Sequence, residues 1–466
     1  MNFQESTRKR TDCKGLSLSV TYGSLPIFAM LARIASPFYP MAIMRMTHLL
    51  TKTAKEAPQE AESANAKYLI RGGFVRQEAA GVYSWLPLGL RALRKVEAII
   101  RDELNALGAQ EVLMPALLPK EPWIRTGRWD TIDVMFKVKS QTGQEYALGP
   151  THEEIVTPLV GSFVKSYKDL PVAVYQIQTK FRDELRAKSG ILRGREFGMK
   201  DLYSFHRTKE DLEAFYQKAL EAYVRIYTRC GLTVKVVEAS GGSFTKKYSH
   251  EFHVLTPAGE DIILACPSCT FAQNTEIATV RQGDACPSCG ASLGMEKGIE
   301  AGNIFDLGQK FAEDFDVEFT DEDGARQRVY MGCYGIGTTR LVGSIVEALH
   351  DDDGIRWPKN VAPYPVHLVS LHSKDETVQE RIVNTAETLA DDLSKQGIDA
   401  LWDDREDASP GQKFADADLL GMPLRLVVSE KTLKEDAVEW KFRDSSESRF
   451  VTLQDIQEEV EAFVKE

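Results

Sequence analysis

The chain has 466 residues, a length that allows about three domains of ordinary size. Its hydrophobic content of 43% and charged content of 27% fit a soluble globular protein with an ample core, and no apolar run approaches the roughly 20 residues that span a bilayer. The formal net charge of −12 excludes a general nucleic-acid coat but leaves room for a local basic face.

Residues 1–45 differ in composition from the rest. Glu5 and Asp12 are the acids there, against Arg8, Lys9, Arg10, Lys14, Arg33 and Arg45. Such a stretch suits an organellar transit segment, or an upstream extension outside the fold with translation starting at Met44 or Met46. We expect an atypical, disordered extension over 1–45 and take the favoured reading to be the second. From Gly81 the pattern tightens: Leu90, Leu93, Val96, Ile100, Leu104 and Leu107 recur at helical spacing, and Gly108 suits the helix end. Glu111–Met114 then reads as a strand stopped by Pro115.

In the run EYALGPTHEEIVTPLV, Thr151 and Glu154 have the spacing of a capping box that starts a helix. The functional alternative is that Thr151 and Glu153 project from a strand edge to hold a charged amine. A strand at Val172–Gln178 leads into FRDELRAKSGILRGREFGMKDLYSF, residues 181–205. Arg182/Glu184 and Arg195/Glu196 flank a loop carrying Lys188, Gly190, Arg193 and Gly194. Arginines beside a mobile basic loop suit a polyphosphate held against a sheet, since guanidinium pairs with phosphate through two parallel bonds. The bland alternative is a hairpin with surface ion pairs.

Residues 208–229 read as a helix, followed by the strands VKVVEA and SHEFHVL. His250 and His253, three apart on a strand, point to opposite faces and do not share a metal. Of the seven cysteines, Cys13, Cys230 and Cys333 are isolated, whereas Cys266-x2-Cys269 and Cys286-x2-Cys289 form two CPxC knuckles sixteen residues apart. That spacing matches a four-thiolate zinc ribbon, closed and structural, over 264–292. The odd cysteine total and the clustering point to reduced thiols and a cytosolic or organellar-matrix compartment. In MGCYGIGTTRLVGSIVEAL a glycine-rich strand runs into a helix, with Gly335 and Gly337 leaving room for a ligand and Arg340 in the first turn. Cys333 reads as a small residue of that strand. Three prolines in GIRWPKNVAPYPV mark a domain boundary, and beyond them strands and helices alternate in a compact α/β domain.

The segments GVYSWLPLGLRALRKV, LGPTHEE, YQIQTKFRDE, GREFGMKDLYSFH, SHEFHVL, GNIFDLGQKF, GCYGIGTTRLV, LWDDRE and FADADLLGMP together resemble class II aminoacyl-tRNA synthetases, in their prolyl branch of the bacterial and organellar type. The resemblance runs from about Met46 to the C-terminus. It implies an α+β chain: an antiparallel-sheet catalytic domain at 46–358 containing the ribbon-like insert, then an α/β anticodon-binding domain at 359–466. The unit ending at Pro115 would form a homodimer. Arg182 would bridge the proline carboxylate and the α-phosphate of ATP, Glu184 the adenine amino group, and Arg193 the outer phosphates. Phe197 would stack on adenine, and Arg340 would meet the γ-phosphate. Thr151 and Glu153 would hold the secondary amine of proline, with Met199, Asp201 and Tyr203 near its ring. Arg182 and Arg340 would be the catalytic pair, acting with Mg2+, while Zn2+ would sit on the four cysteines. The implied reaction activates L-proline with ATP and transfers it to tRNA(Pro), in the cytoplasm or, if 1–45 is a transit segment, in an organelle.

Two departures stand out. Many bacterial members carry a large editing domain between the second and third class motifs, whereas this chain holds only the cysteine insert there, as in a short form without the editing insertion. GQKFA at 308–312 replaces a threonine-lysine-tyrosine-serine run, which puts nucleotide contacts from that segment in doubt. The competing expectations are a class II relative charging threonine, glycine or serine, and a non-catalytic tRNA-binding paralogue. The second would be expected to lose Arg182, Glu184 or Arg340.

Overall fold

The computed structural model describes residues 43–242 and 248–465. The extension foreseen at 1–45 therefore lies outside the described residues over 1–42, as does Cys13. Its last residues are ordered: Met44–Arg45 is a strand pairing in parallel with Leu401–Trp402, and Met46 is buried.

A nine-stranded sheet organises the larger part of the chain. Its centre is four antiparallel strands in the order Gly294–Gly308, Tyr330–Gly337, Glu196–His206 and Val172–Phe181. The helix Pro87–Ala106 covers one face. Proline opens it, Gly108 closes it with φ +80°, and Leu88, Ala92, Val96, Ile99, Ile100 and Leu104 are buried along one stripe. The helix Lys209–Arg229, capped by the Thr208 hydroxyl, lies beside it, and Arg225 and Arg229 bond Glu103 at 2.8 and 3.0 Å. Alternation along the strands splits their side chains. Leu202 and Tyr334 join the core beneath these helices, while Asp201, Tyr203 and Cys333 turn to the other face.

One strand differs from expectation. Only Gln110–Glu111 pairs with the sheet, not Glu111–Met114. Beyond Val112 the backbone leaves the ladder because side chains replace it. Met114 N–H donates to Gln176 Oε1 at 3.0 Å, and the Met114 carbonyl accepts from Gln178 Nε2.

The C-terminal sheet has six strands: Met44–Arg45, Ala400–Asp403, Val366–Ser370 and Leu424–Val428 in parallel, then Ala437–Phe442 and Ser448–Thr452 antiparallel. Helices Glu376–Lys395 and Pro410–Leu420 fall where the alternation predicts. The last strand gave no apolar signal because Val451 is its one buried residue. The two sheets are tied by Arg443, bonded to both oxygens of Asp351 at 2.6 and 2.7 Å, and by Arg91, which pairs with Asp399 and stacks on Tyr364.

Candidate active site

The face opposite the helices carries most of the residues singled out in the sequence. Register fixes them: Asp201 lies between Gln176 and Gly335, Tyr203 between Val174 and Cys333, and Met199 between Gln178 and Gly337. Gly335 matters here, since a Cβ would enter open space over the sheet, its nearest neighbour the Asn303 carbonyl at 3.9 Å.

Thr151 does not cap a helix. The helix runs Glu153–Phe163 behind His152, whose side chain makes no cap bond. The capping box fails because both partners are engaged elsewhere. Thr151 Oγ1 donates to Glu153 at 2.7 and 2.8 Å, while Glu154 accepts from Arg128 at 2.9 Å and Thr126 at 3.0 Å. Glu153 thus stands in the first helical turn and not on a strand edge. It is fully buried and also accepts from Arg128 at 3.1 Å and from the Cys333 thiol at 3.3 Å. One guanidinium serves two carboxylates here, and burial pushes Glu154 up to about 7. Burial, with Glu153 beside it, also raises Cys333 well above the usual thiol range. Cys333 is therefore a protonated donor, more than the small strand residue expected.

Deeper in the face, Asp201 accepts from Gln176 at 2.9 Å and from Tyr203 at 3.2 Å, and pairs with the buried Lys180 at 2.9 Å. Tyr203 in turn accepts the His152 N–H at 3.0 Å. Met199 is half-buried on the same face.

The arginines lie along the rim. The guanidinium of Arg182 is 5.3 Å from the Phe197 ring, and burial and the nearby Arg340 both pull its pKa down. Glu300, Glu184 and Glu153 oppose that shift, so the rim mixes arginines with the carboxylates that an anion would displace. Arg193 pairs with Glu184 at 2.9 Å and Glu260 at 3.5 Å, and Lys188 with Glu260 at 3.2 Å. Arg340 donates to the carbonyls of Leu192 and Glu300 at 2.8 and 2.9 Å. Between Arg193, Arg340, Asp261 and Glu300 lies a cavity of about 110 Å³. Burial raises the carboxyls of both Asp261 and Glu300.

Sequence reasoning missed the residues that anchor this loop. Buried Asn65 donates to the Ser189 carbonyl at 3.0 Å and accepts from Ile191 N–H at 3.0 Å, while Ser189 and Gly190 take left-handed φ of 59° and 66°. A Cβ on Gly190 would meet Asn65 Oδ1 at 2.2 Å. Arg128, Gln176 and Lys180 were also missed: Arg128 lies in no quoted segment, and Gln176 and Lys180 lie within YQIQTKFRDE but were given no role there. In GQKFA, Gln309 bonds the Arg328 carbonyl at 2.9 Å and Lys310 opens a short helix.

The four cysteines of the two knuckles converge, their Sγ atoms all within 4.8 Å of one another. Sγ pairs at 3.4 Å (Cys266–Cys289) and 3.6 Å (Cys269–Cys286) approach the spacing that a tetrahedral thiolate site requires. Lys235 Nζ donates to the carbonyls of Cys266 and Cys269 at 3.1 and 2.9 Å, tying one knuckle to the sheet. His250 and His253 serve elsewhere, with Tyr216 at 2.7 Å and Glu251 at 2.8 Å.

Comparison with known proteins agrees with this architecture. Residues 136–349 match the tRNA synthetase class II core domain (G, H, P, S and T), and residues 366–463 match an anticodon binding domain. The proline–tRNA ligase of Desulfitobacterium hafniense is 33% identical over 575 aligned positions, covering 91% of this chain and 99% of the relative. That of Anaplasma marginale is 41% identical over 414 positions, covering 86% of this chain and 96% of the relative. With a synthetase core and an anticodon domain in this order, and such similarity across nearly whole relatives, the chain belongs to the proline–tRNA ligases, class II aminoacyl-tRNA synthetases that join proline to tRNA(Pro) at the expense of ATP.

Proposed function

We propose that proline is activated on the open face of the nine-stranded sheet, with Arg182 as the central catalytic group. The carboxylate of proline attacks the α-phosphorus of ATP, forming prolyl-adenylate and releasing pyrophosphate, and the terminal ribose hydroxyl of tRNA(Pro) then takes the acyl group. Negative charge gathers on phosphoryl oxygens, so fixed cations carry the rate and no side-chain nucleophile is needed. The observation that best supports this is the Arg182 guanidinium held 5.3 Å from the Phe197 ring on that face. Arg182 bridges the carboxylate and the α-phosphate, Phe197 stacks on adenine, Glu184 accepts from its amino group, and Arg193 and Arg340 grip the outer phosphates. Arg193 and Arg340 are engaged with Glu184, Glu260 and Glu300. ATP binding exchanges those carboxylates and carbonyls for phosphate oxygens. Glu153 holds the proline ammonium with Thr151, and Met199, Asp201 and Tyr203 shape the ring pocket. Arg182→Ala should lower proline-dependent ATP–pyrophosphate exchange by about a hundredfold or more, the scale of removing one transition-state donor. Exchange within threefold of wild type would overturn the assignment.

Asp261 and Glu300 are oxygen donors of the kind Mg2+ takes, and burial raises both carboxyls although Arg340 lies beside Glu300 at 3.5 Å. Mg2+ bound there would neutralise charge on the outer phosphates. The thiolate cluster suits Zn2+ as a clip, with no role in the reaction. We read the chain as the short form. Its alignment with the Desulfitobacterium relative needs 575 positions, far more than this chain supplies, whereas the Anaplasma alignment does not. A pocket sized for proline discriminates weakly against alanine. This chain therefore forms mischarged alanyl-tRNA and clears it slowly or leaves it to a separate deacylase, and rapid deacylation of preformed Ala-tRNA by this protein alone would refute that. Exposed Leu113 and Leu117 beside Pro115, at the sheet edge, support a homodimer, checked by sedimentation. The reduced cysteines favour the cytoplasm, or an organellar matrix if a reporter fused to 1–45 is imported.

A further inference from the structure

A second concavity lies outside the carboxyl ends of the parallel strands Val366–Ser370 and Ala400–Asp403, where open α/β sheets take ligands. It encloses about 400 Å³, and its walls include His372, Asp404 and Glu406. Two further wall residues, Arg45 and Thr47, come from the far end of the chain, outside the matched anticodon segment 366–463.

Their placement is built in detail. Met44–Arg45 extends the sheet with Arg45 in register with Trp402, and its guanidinium lies 4.2 Å above the indole. Glu387 pairs with that guanidinium, Asp404 lies 3.9 Å from it, and a third of the side chain remains exposed where Arg45 lines the cavity. Thr47 donates its N–H and its hydroxyl to the two oxygens of Asp404, at 3.0 and 2.6 Å. Trp402 is anchored in turn by a bond from its indole N–H to Ser370 Oγ at 3.1 Å. Trp402 is itself almost fully buried, so the flat surface offered to the cavity is the guanidinium.

We infer that Arg45 is a tRNA-contacting residue whose guanidinium plane stacks on one unpaired anticodon base, and that Thr47 positions Asp404 to read that base's edge. This rests on the assignment of 366–463 as the anticodon domain. Unstacked RNA bases lie against arginine planes as readily as against aromatic rings. The edge chemistry favours guanine: its N1–H and N2–H donors meet Asp404 and Glu406, and its O6 meets a cation. Proline codons begin with two cytosines, so the anticodon of tRNA(Pro) carries two guanines.

The test uses the full chain and tRNA(Pro) transcripts in which each anticodon guanine is replaced in turn by adenine. Arg45→Ala should raise the KM for wild-type tRNA about tenfold relative to its effect on proline-dependent pyrophosphate exchange, as expected for one lost stacking platform. The penalty for replacing one of the two guanines should shrink by a similar factor in Arg45→Ala, while the penalty at the other persists. Arg45→Lys, which keeps charge but not the plane, should restore little. A wild-type KM for tRNA in Arg45→Ala, or undiminished penalties at both guanines, would overturn the inference. If the wild-type chain itself ignores both substitutions, the anticodon assignment fails, not only the role of Arg45.

Discussion

Glu153 shows how much of the site is decided by single atoms. Its carboxylate is buried and held by Thr151, Arg128 and Cys333, so it is oriented before any amine arrives. Glu153→Gln should raise the KM for proline by one to two orders of magnitude, roughly the 1.5–3 kcal/mol of a hydrogen bond to a charged group, and leave the KM for ATP nearly unchanged. Equal effects on both substrates in steady-state exchange would place Glu153 outside the amine site. Thr151, Glu153 and Arg182 stood out in the sequence because each lies in a short motif. Arg128 and Asn65 did not, because each meets its partners only after folding: Arg128 reaches Glu153 across 25 residues, and Asn65 reaches Ile191 across 126. Removing Asn65 tests the second case. Asn65→Ala should loosen the loop at 189–191 and raise the KM for ATP several-fold, and an unchanged KM would mean the loop is held without it.

At the scale of elements, the amphipathic helices and the alternating C-terminal strands were legible because their apolar periods match their geometry. The strand after Gly108 was overestimated because glutamine side chains supply bonds that periodicity cannot reveal. Within the Val366–Ser370 strand, His367 carries a testable cost. It is buried, neither ring nitrogen has a hydrogen-bond partner, and burial holds its pKa down at about 4. The unfolded chain binds a proton near the ordinary 6.5 and the folded chain does not. Stability is therefore complete above about pH 6.5 and falls as pH drops toward 4, by about 3 kcal/mol in total. Denaturant midpoints of His367→Leu should show a shallower slope across that window, and an identical slope would show that other groups carry it. The cysteine insert makes a separate prediction. Elemental analysis should find one zinc per chain, lost in Cys266→Ser, and wild-type protein purified without zinc would remove the clip from the account.

Over the whole molecule, the chain closes on itself through its N-terminal segment. Arg45, Thr47 and Thr53 bind Glu387, Asp404 and Asp416 of the C-terminal region, and a few residues later Ala54 N–H bonds the Arg71 carbonyl of the catalytic region. A start at Met46 would delete the edge strand that carries Arg45, so the choice between Met44 and Met46 has a structural consequence that composition alone did not reveal. The central claim concerns the reaction itself and is tested most directly by ATP–pyrophosphate exchange with proline, threonine, glycine and serine offered singly to the full chain. The account predicts exchange with proline alone at micromolar to millimolar concentrations, lowered about a hundredfold or more in Arg182→Ala. Exchange that is absent with proline, or faster with threonine, glycine or serine, would contradict it.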